Sequence, residues 1–338
     1  MPSIRLPEPL REVSVLSIHS NRVVLEARSG ESDEPLVVKC LTLPANEEEI
    51  ADFKAEYLYL DALSHRSWAK PDVFGELPEG GYYFTLEKAR GVTADRIGAM
   101  GWCPEAVEVA RQILSALHVL HQSDIAQLDL KPEQILIDGW PAKPSQWDTE
   151  RSEWSFPDLH VTLLDLGLAR PFGTPTPGRG TVGYIAPELY HGRKDWGAAT
   201  DLYSFGATMG ELLGGRRLFA GANAGDIIDR QIGGRPDLLG LQLCGVPGFV
   251  GSWVLRFLSP RAEIRPEDAS AAWLALRDLV PLASDFMEVL FLERSTEGTF
   301  VGRDGELESL FSAALDGGGR PRKRRATAHS CCAGSSGD

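Results

Sequence analysis

Cysteine is scarce in this 338-residue chain and badly placed to organise it: Cys40, Cys103, Cys244, Cys331 and Cys332 are odd in number, scattered, and form no C-x-x-C pair. That excludes a disulfide framework and a cysteine-built zinc site, and predicts reduced thiols in a cytoplasmic protein. A basic excess is missing too. With 48 acidic against 34 basic residues the net charge is −14, which argues against nucleic acid as a bulk partner, because phosphate backbones attract basic faces. Small phosphorylated ligands need only a local site and stay open. No stretch reads as a membrane span: the most apolar late segment, Leu243 to Leu258, is broken by Gly245, Pro247, Gly248 and Arg256. Met1 leads into Pro2, Glu8, Arg11 and Glu12 without an apolar run, so no signal peptide is expected. There is no internal repeat, and no G-x-x-x-x-G-K-S/T, so the phosphate-cradling loop of P-loop ATPases is absent.

What is present is ordinary globular composition, 43% hydrophobic and 24% charged, enough for two domains or one bilobal unit. The beginning reads as strands: Val13 to Leu16, Val23 to Leu25 and Leu36 to Val38, separated by the turns Ser20-Asn21 and Arg28-Ser29-Gly30. A helix follows, with Asn46 as N-cap, Glu49 three residues on, and Ile50, Phe53, Tyr57 and Leu60 along one face. Gly81 to Leu86 is another strand. From Pro104 the character turns helical: Ala106, Ala110, Ile113, Leu117 and Leu120 lay one apolar stripe down a buried helix. Ile135–Ile137 and Val161–Leu164 read as a strand pair, and further helices are expected around Asp201–Leu213, Trp253–Phe257 and Glu267–Leu279. The fold class is α+β: a small β-rich lobe with one helix, then a larger, mainly helical lobe, with a ligand cleft between them.

Chemistry concentrates in two loops. Gln127-Leu128-Asp129-Leu130-Lys131-Pro132-Glu133-Gln134 places an acceptor and a cation two residues apart in a loop stiffened by proline. Thirty-six residues beyond Asp129, Leu163-Leu164-Asp165-Leu166-Gly167 puts a carboxylate at a strand end, with glycine to turn the chain. Two carboxylates converging from two loops suit Mg²⁺, a hard cation that takes oxygen ligands beside substrate phosphates.

These loops resemble the H-R-D-L-K-P-E-N catalytic loop and the D-F-G motif of the protein kinase family, in its serine/threonine branch. The resemblance extends to Gly180-Thr181-Val182-Gly183-Tyr184-Ile185-Ala186-Pro187-Glu188, to Asp201-Leu202-Tyr203-Ser204-Phe205-Gly206 and to Arg265-Pro266. Upstream, Leu36-Val37-Val38-Lys39 stands where V-A-I-K would, and Phe53-x-x-Glu56 supplies the helix glutamate. The resemblance implies a bilobal kinase-like domain over 10–285, with an N-lobe to about 87 and a C-lobe from about 92. It implies that Lys39 holds the α/β-phosphates of ATP, locked by Glu56. Asp129 takes the proton of the acceptor hydroxyl, Lys131 lies near the transferred phosphate, and Asp165 with Gln134 holds Mg²⁺. Glu87 and Ala89 offer backbone groups to adenine behind Leu86. Val24 and Val37 above and Leu136 below enclose the base. Glu188 and Arg265 form a structural ion pair. His121 is expected to be a core histidine.

Three departures stand out. Where the family has a glycine-rich loop, the pattern counted back from Val24 lands on Ser17, His19 and Arg22, the nucleotide-binding positions of that loop; their side chains should hold it farther from the phosphates or in another shape, with Arg22 adding a charge in compensation. Gln134 replaces asparagine, one methylene longer, and predicts weaker second-metal binding. Gln127-Leu128 replaces His-Arg, and Leu128 cannot pair with a phosphate, so activity is expected not to depend on phosphorylation of Thr174 or Thr176. Residues 139–158, with Trp140, Trp147, Trp154 and three prolines, read as an insertion. It is either a packed loop or a surface for a regulatory partner. Phe300 to Leu310 resembles the entry of AAA/STAND-type ATPase modules, a remnant over 296–315, and 316–338 reads as a disordered tail.

The function expected is a serine/threonine protein kinase that moves the ATP γ-phosphate to protein hydroxyls. The rivals are a pseudokinase serving as a nucleotide-binding or regulatory module, favoured by the missing glycines and Gln134, and a small-molecule phosphotransferase. Lys131, the Gly180–Glu188 segment and Arg265 speak against the last.

Overall fold

The computed structural model describes residues 4–30, 33–148, 156, 158–174, 180–192, 196–278 and 280. Thr176, Trp154, Cys331, Cys332, the 296–315 module remnant and the 316–338 tail lie outside the described residues. The N-lobe is a five-stranded antiparallel sheet in the order β1-β2-β3-β5-β4, built from β1 (Leu10–His19), β2 (Arg22–Ser29), β3 (Pro35–Thr42), β4 (Pro71–Glu76) and β5 (Gly81–Glu87). Between β3 and β4 runs α1 (Glu47–Ala62). Its start follows the sequence rule: Asn46 accepts from the Glu49 N–H, and the Glu49 side chain accepts from the Asn46 N–H.

Alternation in β2 sorts the two faces of the sheet. Val23, Leu25 and Ala27 are buried with Val38, Cys40, Leu77 and Tyr83, beneath Ile4, Leu6 and Leu10. Arg22, Val24 and Glu26 occupy the other face, since side chains on a strand alternate. Val24 lies opposite Lys39 in the β2–β3 register, and directly paired residues share a face. The residues counted as the glycine-rich loop therefore sit on a tight hairpin, with His19 opposite Arg22 and only Ser20-Asn21 between the strands.

The chain enters the C-lobe through β6 (Val92–Thr93) and α2 (Pro104–His121), then β7 (Ile125–Ala126), β8 (Ile135–Asp138), β9 (His160–Leu163) and β10 (Arg170–Pro171). The remaining helices are α3 (Pro187–Tyr190), α4 (Ala198–Gly214), α5 (Ala224–Ile232), α6 (Leu239–Leu243), α7 (Gly248–Phe257) and α8 (Ala269–Arg277). The expected strand pair is β8–β9, antiparallel, with Ile135 opposite Leu163.

The stripe on α2 predicts one buried face, yet nearly the whole helix is buried, because α4, α8, β7 and β9 all pack around it. Its polar residues are paired internally, as burial requires. Arg111 bonds Glu108 through two nitrogens at 2.6 Å. Gln112 bonds Glu108, the Leu159 carbonyl and the Val161 N–H. Glu105 accepts from the Ser145 N–H and hydroxyl, and Trp147 packs against Trp102 at 5.4 Å. The described part of 139–158 thus packs on the C-lobe, with Ser145 bonded to Glu105 of α2 and Trp147 against Trp102 just ahead of that helix.

In α4, Gly206 meets a spatial need: a Cβ there would lie 2.3 Å from the Phe257 Cβ, so glycine lets α7 approach. Among the described residues no helix is long and apolar enough to cross a membrane.

Candidate active site

The catalytic-type loop is shaped from beneath. Asp201, fully buried on α4, accepts the Gln127 N–H at 2.7 Å and the Leu128 N–H at 2.8 Å. It also bonds His121 Nε2 at 2.9 Å, so His121 is a core histidine that holds a structural carboxylate. Leu128 takes φ +67°, a left-handed backbone that costs a non-glycine residue on the order of 1–3 kcal/mol and persists only where its surroundings dictate it. The two N–H bonds to Asp201 do so. They present the next residue, Asp129, to the cleft.

Both oxygens of Asp129 are organised. Oδ2 accepts from Lys131 Nζ at 2.7 Å. Oδ1 accepts from the Thr181 N–H at 3.1 Å and its hydroxyl at 2.8 Å. Lys131 also donates to the Thr181 hydroxyl at 2.6 Å. The start of the Gly180–Glu188 segment is thereby tied to the carboxylate proposed to do the chemistry.

A second cluster joins three elements of both lobes. Lys39 on β3 is bonded to Glu56 Oε1 on α1, to Asp165 Oδ1 at 3.2 Å and to the Leu164 carbonyl at 3.0 Å. Asp165 Oδ1 also accepts the Gly167 N–H at 2.9 Å, and its Oδ2 lies 3.2 Å from Gln134 Nε2. Gln127, in the histidine position of the motif, sends its Nε2 to the Asp165 carbonyl at 3.1 Å. Arg22 reaches down from the hairpin to Glu56 Oε2 at 3.4 Å, with its guanidinium 5.9 Å from the centre of the Phe53 ring. A Cβ on Gly167 would meet Arg22 Nη1 at 2.7 Å, so glycine keeps that space for the arginine. The sequence marked Arg22 as a missing glycine that could add a charge at the nucleotide, with no sign of its bond to Glu56. It is the second cation on Glu56.

The charges in this cluster are coupled. Burial opposes the charge on Lys39, but the Asp165 and Glu56 carboxylates outweigh it and hold the ammonium above its ordinary range. Burial also works against the Asp165 carboxylate, and Lys39, Glu56 and the Gly167 N–H overcome it, holding the group well below the usual range. Glu56 goes the other way: burial, only partly offset by Lys39 and reinforced by Asp165, pushes it up to about 7. Asp165 is thus the firm anion.

That donor set fits a hard divalent cation. Asp165 is deprotonated and partly exposed, and the Gln134 carboxamide beside it carries an oxygen that a rotation of the group could present. Among the described residues no three acidic, histidine or cysteine side chains gather into a cage, so an ion here would share its shell with substrate phosphates, as Mg²⁺ does.

Around the proposed base site, Val24, Val37 and Leu136 are half-buried and Leu86 is buried. Glu87 is exposed, and its N–H donates to the Lys70 carbonyl at 3.2 Å. Ala89 follows, half-buried. Ser17 and His19 lie on β1, with Ser17 opposite Val24 and His19 exposed at the hairpin tip.

The described residues just after Asp165 are held by strand pairing, apolar packing and an ion pair. β10 pairs with β7, placing Arg170 opposite Ala126. Leu128 lies in a buried apolar cluster with Ala126, Ile185, Leu189 and Trp196, against which Phe172 packs. Trp196 Nε1 donates to the Thr174 carbonyl at 3.1 Å. Arg170 bonds Asp52 of α1 at 2.8 Å. Sequence reasoning missed this ion pair, because neither residue belongs to a motif. At the far end Glu188 and Arg265 form the expected pair, with two contacts of 2.8 Å.

Residues 20–237 match the family model of the protein kinase domain. The serine/threonine-protein kinase pkn3 of Myxococcus xanthus is 28% identical over 206 residues, covering 57% of this chain and 35% of that protein. The serine/threonine-protein kinase PkaB of Streptomyces coelicolor is 30% identical over 188 residues, covering 53% of this chain and 40% of the relative. The chain thus spans well under half the length of these two relatives. Among solved structures, Rad53 in complex with AMP-PNP superposes with a TM-score of 0.61 at 21% identity, over 78% of this chain and 64% of the other; at that identity the likeness speaks for the fold. With the family model covering more than half of its 338 residues, this chain belongs to the protein kinase domain family.

Proposed function

We propose that this chain is an ATP- and Mg²⁺-dependent serine/threonine protein kinase acting in the cytoplasm. The observation that carries the reading is the Lys39 cluster: three side chains from β3, α1 and the Asp165 loop meet at one point of the cleft. That is the arrangement a triphosphate needs.

Asp129 accepts the proton of a serine or threonine hydroxyl as the oxygen attacks the γ-phosphorus. The bond between that phosphorus and the β–γ bridging oxygen breaks, and ADP leaves. Thr181 and Lys131 keep Asp129 oriented, and the Lys131 ammonium also faces the charge on the transferred group. Lys39, fixed by Glu56, holds the α/β-phosphates, with Arg22 adding a second positive charge nearby. Asp165 and Gln134 would hold Mg²⁺, which supplies charge neutralisation to the phosphates when bound. Chemistry of this kind is mostly positioning and electrostatics, and both clusters are built for positioning.

The test is transfer of label from [γ-³²P]ATP to dephosphorylated casein, followed by phosphoamino-acid analysis. Phosphoserine and phosphothreonine are expected. ATP binding without transfer would favour the regulatory-module reading, and label confined to small alcohols or aminoglycosides would favour the small-molecule one.

A further inference from the structure

Ile227 and Ile228 of helix α5 are half-buried, but the one residue the helix buries fully is a glutamine. Gln231 is the single buried side chain of the helix, at 0% exposure. A helix anchored by apolar packing would bury leucine or isoleucine at this point. A buried carboxamide instead costs free energy unless every polar atom is paired.

Every polar atom is paired. Oε1 accepts the Gly183 N–H at 3.1 Å and the Tyr190 hydroxyl at 2.9 Å. Nε2 donates to the Ile185 carbonyl at 3.0 Å and to the Tyr203 hydroxyl at 3.2 Å. Two acceptor sites and two N–H groups are the whole capacity of a glutamine side chain. Two of the four bonds go to the backbone on either side of Tyr184, whose carbonyl in turn accepts from Ser204 at 2.8 Å. The other end of this short strip is Thr181, tied to Asp129. The strip 181–185 is therefore fixed at the reacting carboxylate by Asp129 and at its far end by Gln231. Gly183 takes φ +103°, a conformation with little side-chain restraint of its own, so Gln231 supplies the restraint.

We propose that Gln231 is a positioning residue for the protein acceptor: through it, α5 sets the shape of the backbone strip against which the acceptor chain lies. This rests on the kinase reading, in which 181–185 borders the acceptor hydroxyl at Asp129. Gln231 touches neither nucleotide nor acceptor, and its effect belongs on acceptor binding rather than on ATP.

The experiment compares wild type, Gln231→Leu and Tyr190→Phe, with casein as acceptor. Gln231→Leu keeps the volume and removes all four bonds, whereas Tyr190→Phe leaves both backbone bonds in place. Gln231→Leu should raise KM for casein about tenfold or more while KM for ATP stays within about twofold, and Tyr190→Phe should move both by less than about threefold. Hydrogen exchange is read on the same proteins. The Gly183 amide should exchange at least about tenfold faster in Gln231→Leu, with α4 amides unchanged. If wild type transfers no label, the kinase reading fails by itself, and the exchange data still decide whether Gln231 restrains the strip. Equal effects on both KM values, equal effects of the two variants, or unchanged Gly183 exchange would overturn the proposal. Should Gln231→Leu not fold, Gln231→Met takes its place. If neither folds, the residue is purely structural and the proposal is overturned.

Discussion

Arg170, five residues beyond Asp165, lies 2.8 Å from Asp52 on α1, and this contact ties the segment after the metal-type aspartate to the helix that carries Glu56. Asp52 is one turn from Glu56 on a helix of sixteen residues, so a restraint at one bears on the other. Both partners are mostly buried, with side-chain exposures of 17% and 6%, where an ion pair is screened less than at the surface. Arg170→Ala should lower kcat/KM for ATP by roughly tenfold, and Asp52→Asn by a similar factor, with a non-additive double variant. Thr174→Ala should leave transfer within about twofold, because Leu128 offers a phosphate nothing to bind. Steady-state kinetics of the four proteins checks this. A Thr174→Ala enzyme without activity would contradict it.

Restoring the missing arginine should not restore a phosphate switch. Leu128 is 5% exposed, within the cluster of Ala126, Ile185, Leu189 and Trp196. Leu128→Arg would bury a charge among apolar groups, at a cost on the order of 2–4 kcal/mol. Thermal unfolding should show a midpoint lowered by roughly 5–15 °C. An unchanged midpoint would mean the cluster is looser than its burial indicates.

Arg22 can be tested as a phosphate ligand by separating triphosphate from base. Arg22→Ala should weaken ATP binding about five- to tenfold while leaving adenosine within about twofold, because only the charged tail would reach the guanidinium. Isothermal titration with both ligands reads this. Tighter ATP binding in the variant would instead make Arg22 an internal plug that ATP must displace.

Glu56 gives the pH dependence. Its folded pKa is pushed up to about 7 by burial, against an ordinary value of 4.5. The folded state therefore binds more protons than the unfolded one between these values, and the group's contribution to stability is lost as pH rises through that window. Function runs oppositely, since anchoring Lys39 requires the carboxylate. The quantity kcat/KM for ATP, which reports groups of the free enzyme, should rise with pH through about 7. Glu56→Gln should lower it and abolish that limb. A limb that survives in Glu56→Gln belongs to another group.

Much of the scaffold was legible because it rests on local rules. The Asn46–Glu49 cap, the α2 stripe and the β8–β9 pair each follow from residues close together in the chain. The meeting of Lys39, Glu56 and Asp165 was legible too, because their order in the chain marks them, although only the fold brings them together. What stayed hidden depends on long-range geometry. The charge of Arg22 was legible, but its contact with Glu56 was not, because its direction across the cleft is set by the β1–β2 hairpin. Gln231 is polar, so no apolar pattern along α5 marks it as buried, and its value lies in bonds to residues as many as 48 positions away. Strand β4 was missed for a simpler reason: Pro71, Asp72, Gly75 and Glu76 dilute its apolar content below what a strand pattern needs.

The central claim is that Asp129 performs chemistry on a nucleotide held by Lys39 and Asp165, so the most direct measurement pairs transfer with binding in Asp129→Asn. Label incorporation into casein should fall by at least about a hundredfold, as expected for losing a general base, while ATP affinity with Mg²⁺ stays within about threefold. Undiminished incorporation in that variant would contradict the account.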